Sequence, residues 1–433
     1  MIRKLLAAVG ITALLGTGAF ASDTLNFDQG LDLSRVLRKV NAVAPSALRR
    51  HDEEPADWTV MVFLNGKNNL APYGYTNFKQ MEQVGSTPRV NVVVEFGLIS
   101  ASDVPGGWHG ARRFLVKKSS NPNKITSPVL QSFADRDMGD WHNLVDFANW
   151  AKAKYPAKHT MLVVWNHGSG WTQHGHPDVT IRGISYDDET GHHITTEELG
   201  QALAAIGGVD VYASDACLMQ MAEVDYEIMD HASTIVGSEE TEPGDGYTYN
   251  TLLGPLVQNP GMTSESLGKL AVHSYVGHYQ GGSEEATQSA VRAAALKDLA
   301  PLLDGWTAAI MKGDEKEAVV SALSDVQKFY IRDNVDLYDF ARLISERARS
   351  ADVKSQAKQV MQFLSDKLIV DNDTAGSGMS HAKGLAIYLP SSDFNSDYAD
   401  LAWAKSSRWM TFAQWASKLN ARPKPSPALA SSL

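Results

Sequence analysis

Five short apolar runs punctuate the chain between residues 58 and 238: "WTVMVFLN" (58–65), "VNVVVEF" (90–96), "TMLVVWN" (160–166), "VDVYAS" (209–214) and "STIVGS" (233–238). They are near-continuous rather than alternating and rich in Val and other β-formers, the pattern of strands buried on both faces of a parallel sheet. Helical periodicity fills the gaps over residues 69–84 and 141–154. It recurs in "TTEELGQALAAI", where Thr195 and Glu198 have capping-box spacing. "RRFLVKK" (112–118) reads as a hairpin insertion. Strand alternating with helix predicts a doubly wound α/β sheet with right-handed crossovers. From residue 264 to 370 the pattern is mainly helical. A Gly/Ser-containing loop over 372–380 then leads into "GLAIYLP" (384–390), which reads as one more buried strand returning to the sheet.

The two ends read differently. Arg3 and Lys4, an apolar stretch over 5–15 and Ala19-Phe20-Ala21 before Ser22 predict an export signal removed after residue 21. That stretch is too short to span a bilayer, and no later run of about 18 apolar residues follows. No cysteine follows the cleavage site, which excludes a lipid anchor there. Residues 22–57 are polar and mixed in charge, ending in "LRRHDEEPADW", and read as a pro-segment or flexible arm. Residues 420–433 have the composition of a disordered tail. The expected organisation is a signal peptide (1–21), an arm (22–57), an α/β core (58–263), a helical region with a returning strand near 384–390 (264–419), and the tail (420–433).

Charge narrows the partners. Loss of Arg3 and Lys4 with the signal takes the net charge from −11 to −13. This argues against nucleic acid, whose phosphates need a basic face, and is compatible with cationic peptides. The single cysteine, Cys217, rules out a disulfide framework in an exported chain. It is then either a small buried hydrophobe or a reactive thiol.

Context favours the thiol. "MLVVWNHGSGW" places His167 just after one buried run, and "VDVYASDAC" places Asp215 and Cys217 just after another. Ligands of open α/β sheets bind outside the carboxyl ends of strands. "CLMQMAEVDYEI" reads as a helix beginning at the cysteine, so the helix dipole would favour the thiolate. A histidine within reach could then take the thiol proton. His167 precedes Cys217 by 50 positions, the order and separation found in caspases, although the local string is D-A-C rather than Q-A-C.

From residue 58 to about 390 the sequence resembles the clostripain family of cysteine endopeptidases, which shares the caspase-like fold. "WTVMVFLNG", "WNHGSGW", "RGISYDDETGHHITTEELGQAL", "SDACLMQMAEV", "SEETEPGDGYTY", "VDLYDFA" and "GLAIYLP" occur in that order. The resemblance implies a mostly parallel sheet flanked by helices, with an added C-terminal helical region. It implies Cys217 as nucleophile, His167 as its acid/base partner, and the backbone N–H groups of Gly168 and Cys217 as oxyanion donors. Asp215 would receive the Arg or Lys side chain preceding the cleaved bond; read on its own, it is equally a helix N-cap or turn residue. Ser214 and the loop "SEETEPGDGY" would form pocket walls, with Glu239, Glu240 and Glu242 not individually assigned. No third catalytic member is assigned.

Clostripain-like enzymes are commonly activated by self-cleavage at a basic residue between the histidine and the cysteine. Arg182 is the only such residue here, making Arg182-Gly183 the expected processing site and Arg49-Arg50 a second candidate. No metal site is assigned: His174, His176, His192 and His193 lack metal-ligand spacing. No cofactor is required, with calcium left open as a ligand of Asp187-Asp188-Glu189. The chain departs from the family at Lys67, where Asp is frequent. Two other readings stand beside a protease cutting after basic residues: a caspase-fold hydrolase of different specificity, and a non-catalytic caspase-fold binding protein.

Overall fold

The computed structural model describes residues 55–99, 103–171 and 183–419. The expected signal, Arg49-Arg50, Arg182 and the tail lie outside them. Strands β1 (Ala56–Gly66), β2 (Val90–Leu98), β3 (Gly110–Leu115), β4 (Val129–Phe133), β5 (Ala157–Trp165), β8 (Val209–Asp215), β9 (Ala232–Gly237), β10 (Ala286–Arg292) and β12 (Ile369–Ala375) make one nine-stranded sheet. Its order is β12-β10-β9-β8-β5-β1-β2-β3-β4. The middle five strands, β9 to β2, pair in parallel, and both flanks are antiparallel. Two short ladders stand apart: β6 (Ile184–Asp187) with β7 (His192–Ile194), and β11 (Asn334–Asp336) with β13 (Ala386–Tyr388).

The apolar runs are continuous because both sheet faces are covered. Along β1, Met61 and Phe63 enter one core with Leu144 and Phe147 of α2 (Trp141–Lys154) and Leu199 of α3 (Thr196–Ile206). Trp58, Val60, Val62 and Leu64 enter the other, with Phe78 of α1 (Ala71–Val84), Leu252 of α5 (Tyr249–Gln258) and Val272 of α6 (Ser264–Tyr279). The capping box at α3 forms as expected: Thr195 and Glu198 each accept the other's backbone N–H.

Three expectations change. The hairpin around residue 112 is not an insertion, because β3 and β4 extend the main sheet. The region after residue 263 contributes two strands to that sheet. β10, "ATQSAVR", was hidden by Thr287, Gln288 and Ser289, polar residues that are nonetheless buried. β12 forms where a helix end and loop were expected; Asp371 and Asp373 sit on this edge strand, where charge discourages further pairing. The expected returning strand forms as β13 but pairs with β11. It touches the core through a bridge from Ala386 to Met221.

That bridge lies beside a buried acid cluster. Helix α4 (Ala222–Ile228) carries Glu223 and Asp225, both fully buried. Glu223 accepts from the Tyr398 hydroxyl at 2.7 Å and the Tyr388 N–H at 3.0 Å. Burial pushes its carboxyl from 4.5 up to about 7. Between those values the unfolded chain gives up the proton first, so stability falls as pH rises, by about 3 kcal/mol across the window. Glu223→Gln should therefore raise the thermal midpoint at pH 8 and leave it nearly unchanged at pH 4. An equal effect at both pH values would show that packing, not charge, sets it.

Candidate active site

β5 and β8 are adjacent parallel strands in register, with Trp165 opposite Asp215. His167 and Cys217 are each two residues beyond that pair, so they emerge at the same sheet edge. The two turns are in close contact. A methyl group on Gly168 would lie 2.5 Å from the Cys217 carbonyl oxygen and 3.1 Å from the Ala216 Cβ, so glycine is required there. The histidine turn is also stitched to β6: Ser185 N–H donates to the His167 carbonyl at 3.2 Å, and Ser169 N–H to the Gly183 carbonyl at 3.0 Å.

Cys217 does not start a helix. α4 begins at Ala222, and Cys217 sits in a turn where Leu218 has φ of 62°. Leu218 N–H donates to the Glu240 carbonyl at 3.1 Å and Gln220 N–H to the Ser238 carbonyl at 2.9 Å. The expected helix-dipole activation is therefore absent. Burial pushes the Cys217 thiol up, and the Glu240 carboxylate adds to this. N–H groups of Glu242, Cys217 and Gly168 act in the opposite direction; that of Glu242 reaches Sγ at 3.2 Å. Burial also pulls the His167 imidazole below its ordinary range, against the opposing charge of Asp188. Both shifts favour a neutral thiol beside a neutral imidazole.

The structure brings His167, Gly168, Cys217 and Asp215 to one edge but records no hydrogen bond between Cys217 and His167 among the described residues. His167 Nε2 is instead 2.8 Å from Oδ1 of Asn69, in the loop after β1. Sequence reading missed Asn69, because "NGKNNL" offers three asparagines of like kind. Only the turn after β1 separates them.

Asp215 is 3 % exposed. It caps no helix, since α4 starts seven residues later. Its Oδ1 accepts from Tyr247 N–H at 3.1 Å and its Oδ2 from the Tyr249 hydroxyl at 2.8 Å. Burial raises its carboxyl to about 7 despite these bonds, and a further hydrogen bond joins it to Glu242. Glu242 is also raised, first by burial and then by the nearby Asp215 and Cys217 charges. Its Oε1 is buried with no hydrogen-bond partner among the described residues. No basic side chain pairs with either acid among those residues. Glu242 was not separable in sequence from Glu239 and Glu240, which share its loop.

Ser214 corrects the expected pocket wall. Strand alternation puts its side chain with Tyr212 on the opposite sheet face, and its hydroxyl donates to the Tyr212 oxygen at 3.1 Å. Arg182 of the expected processing pair lies outside the described residues. Gly183 is described, with φ of 104°, and a methyl there would lie 2.0 Å from the Ile194 carbonyl oxygen. Its N–H donates to the Gly170 carbonyl at 2.8 Å.

Two of the three acids weighed for calcium, Asp187 and Glu189, are already engaged. Lys67 is buried, with Nζ 2.8 Å from Glu189 and 3.4 Å from Asp187. Asp187 also accepts the N–H groups of Met138 and Glu189, each at 2.9 Å. The Lys67 ammonium thus supplies the positive charge at this turn, a poor fit to a further cation.

Beside Glu242 a cavity of about 680 Å³ opens between Glu240, Glu285, Lys328, Tyr330 and Met379.

A family model described as the clostripain family matches residues 62–420. Clostripain of Hathewaya histolytica is 24% identical over 289 residues, spanning 61% of this chain and 54% of that protein, about half its length. A secreted C11 cysteine protease from Bacteroides thetaiotaomicron, solved with an irreversible peptide inhibitor, superposes with a TM-score of 0.61. It is 18% identical, with 82% of this chain and 99% of that one covered. An inactive zymogen C11 protease from Parabacteroides distasonis gives a TM-score of 0.61 at 20% identity, covering 81% and 98%. These two likenesses bear on the fold alone, a mostly parallel caspase-like sheet flanked by helices. With the family match extending over most of its length, the chain belongs to the clostripain family of cysteine peptidases.

Proposed function

We propose that this protein is an exported cysteine endopeptidase that cleaves peptide bonds after Arg or Lys through Cys217 and His167. One observation carries the specificity. Asp215, buried, and Glu242, half-buried but with one oxygen buried and unpartnered, form an acid pair beside Cys217 with no basic partner among the described residues. An acid pair of this kind is stabilised by an incoming guanidinium or ammonium group. The cavity beside Glu242 gives room for neighbouring residues of the substrate.

In this reading, substrate binding brings the scissile carbonyl to Sγ, and His167 removes the thiol proton as the sulfur attacks. The N–H groups of Gly168 and Cys217, which already act on the sulfur, receive the developing oxyanion. The C–N bond breaks as His167 returns the proton to the leaving amine. Water, deprotonated by His167, then hydrolyses the thioester and frees the thiol. Export rests on the residue 1–21 pattern; no helix among the described residues is long and apolar enough to cross a membrane.

Turnover of fluorogenic peptides ending in Arg, Lys, Asp or Leu tests the reading. Cleavage confined to Arg and Lys supports it. Cleavage after Asp or Leu instead leaves a hydrolase of other specificity, and no cleavage of any peptide leaves a binding protein.

Self-processing at Arg182-Gly183 belongs to the same reading. The bond from Gly183 N–H to the Gly170 carbonyl pins the two ends of the intervening loop together, so a cut would leave both pieces held by the sheet. The purified protein should show two fragments meeting at residue 182 in a denaturing gel yet migrate as one particle in native conditions, while Cys217→Ala stays a single chain. A fully active, uncut wild type would remove the processing step and leave the peptidase.

A further inference from the structure

We propose that Asn69 is a positioning residue that fixes the ring orientation and tautomer of His167. This rests on the Cys217–His167 reading above. An amide Oδ1 is only an acceptor, so its 2.8 Å contact with His167 Nε2 places the imidazole proton on Nε2. The lone pair is then on Nδ1, for which no hydrogen-bond partner is recorded among the described residues. Nδ1 is the nitrogen left to take the Cys217 proton. The opposite tautomer would carry its proton on Nδ1 and turn its lone pair on Nε2 toward the Asn69 oxygen, leaving Nδ1 unable to take a proton.

Asn69 is exposed, yet its loop is rigidly placed. Asn65 Nδ2 and Asn68 Nδ2 donate to the Tyr186 carbonyl at 2.9 and 2.8 Å. Asn65 Oδ1 accepts Lys67 N–H and Asn68 Oδ1 accepts Leu70 N–H, both at 2.9 Å. Asp188 N–H donates to the Lys67 carbonyl at 2.9 Å, and the Lys67 ammonium pairs with Glu189. His167 is held by the same strand, through Ser185 N–H to its carbonyl. β6 is therefore the common frame that sets Asn69 and His167 relative to each other. Only Asn69 in this segment has a side chain turned to the imidazole, while its neighbours spend theirs on the frame.

The test compares wild type, Asn69→Ala and Asn69→Asp in three readouts: kcat and KM on an Arg peptide, the pH dependence of Cys217 alkylation by iodoacetamide, and the thermal midpoint. Asn69→Ala should lower kcat by about 10- to 100-fold and alkylation in parallel, with KM and the thermal midpoint nearly unchanged. Asn69→Asp keeps the acceptor and should recover most of kcat. Its acidic limb should move to higher pH, because a carboxylate there joins Asp188 in holding the imidazolium. A kcat and alkylation rate within twofold of wild type for Asn69→Ala, with an unchanged pH profile, would overturn the proposal. Equal losses in both variants with a lowered thermal midpoint would also overturn it, showing a structural role only. Should wild type cleave no peptide, the catalytic reading falls, while the alkylation comparison still decides whether Asn69 governs the imidazole.

Discussion

Cys217→Ala is expected to lower turnover of Arg and Lys peptides by at least about 10⁴-fold while leaving the fold intact. The Sγ contacts recorded are with the backbone of Glu242, at 3.2 Å to its N–H and 3.9 Å to its carbonyl. Alanine keeps the turn, whose own hydrogen bonds are backbone ones, from Leu218 N–H to Glu240 and from Gln220 N–H to Ser238. The form of the wild-type pH profile is also determined by the site. Burial raises the thiol and lowers the imidazole, so the resting pair is neutral rather than thiolate–imidazolium. Alkylation of Cys217 should therefore climb as pH rises, without the acid-side plateau that a preformed thiolate gives. A plateau already present at pH 5 would show that the ion pair forms in the free protein. Residual peptide cleavage in the alanine variant would remove Cys217 from the reaction altogether.

The strand ends were legible because burial on both faces leaves an unbroken apolar run, and a polar residue just past such a run can only be at the sheet edge. His167, Asp215 and Cys217 were found that way. The strand neighbours of β5 and β8 were not legible, yet their register is what brings His167 and Cys217 together. The segment after Cys217 misled because Leu218, Met219 and Met221 have helix-compatible side chains. Leu218 and Gln220 instead bond to the 238–240 segment, and the helix waits until Ala222. β10 and β12 were hidden for a different reason. Their buried or edge positions carry Thr, Gln, Ser, Asp and Asn, whose partners come from distant segments, such as Ser289 to the Gly384 carbonyl at 2.6 Å. Ser214 shows the finer failure. Adjacent in sequence to Asp215, it belongs to the other face of the sheet.

Asp215→Asn should lower kcat/KM on Arg peptides by about 10²- to 10³-fold, the consequence of removing one partner from a desolvated charge pair. The amide oxygen can still accept the Tyr247 N–H while its NH2 donates to the Tyr249 hydroxyl oxygen, so the loss reports charge rather than collapse of the pocket. The pH dependence distinguishes this from a general defect. In the free protein burial holds the Asp215 proton up to about 7, and burial raises Glu242 as well. A cationic side chain favours the ionised pair, so kcat/KM for Arg peptides should rise as pH increases through 7 and a proton should leave on binding below it. Once bound, the cation lowers the acid's pKa, and kcat should show the rise at lower pH or not at all. Glu242→Ala takes away the hydrogen bond by which Glu242 lowers the Asp215 carboxyl, so the rise should move to higher pH, with a smaller loss of rate than in Asp215→Asn. The step assigned to Asp215 should vanish in Asp215→Asn. Arg turnover within tenfold of wild type in that variant, with the rise through pH 7 unchanged, would place the substrate's positive charge somewhere other than this acid pair.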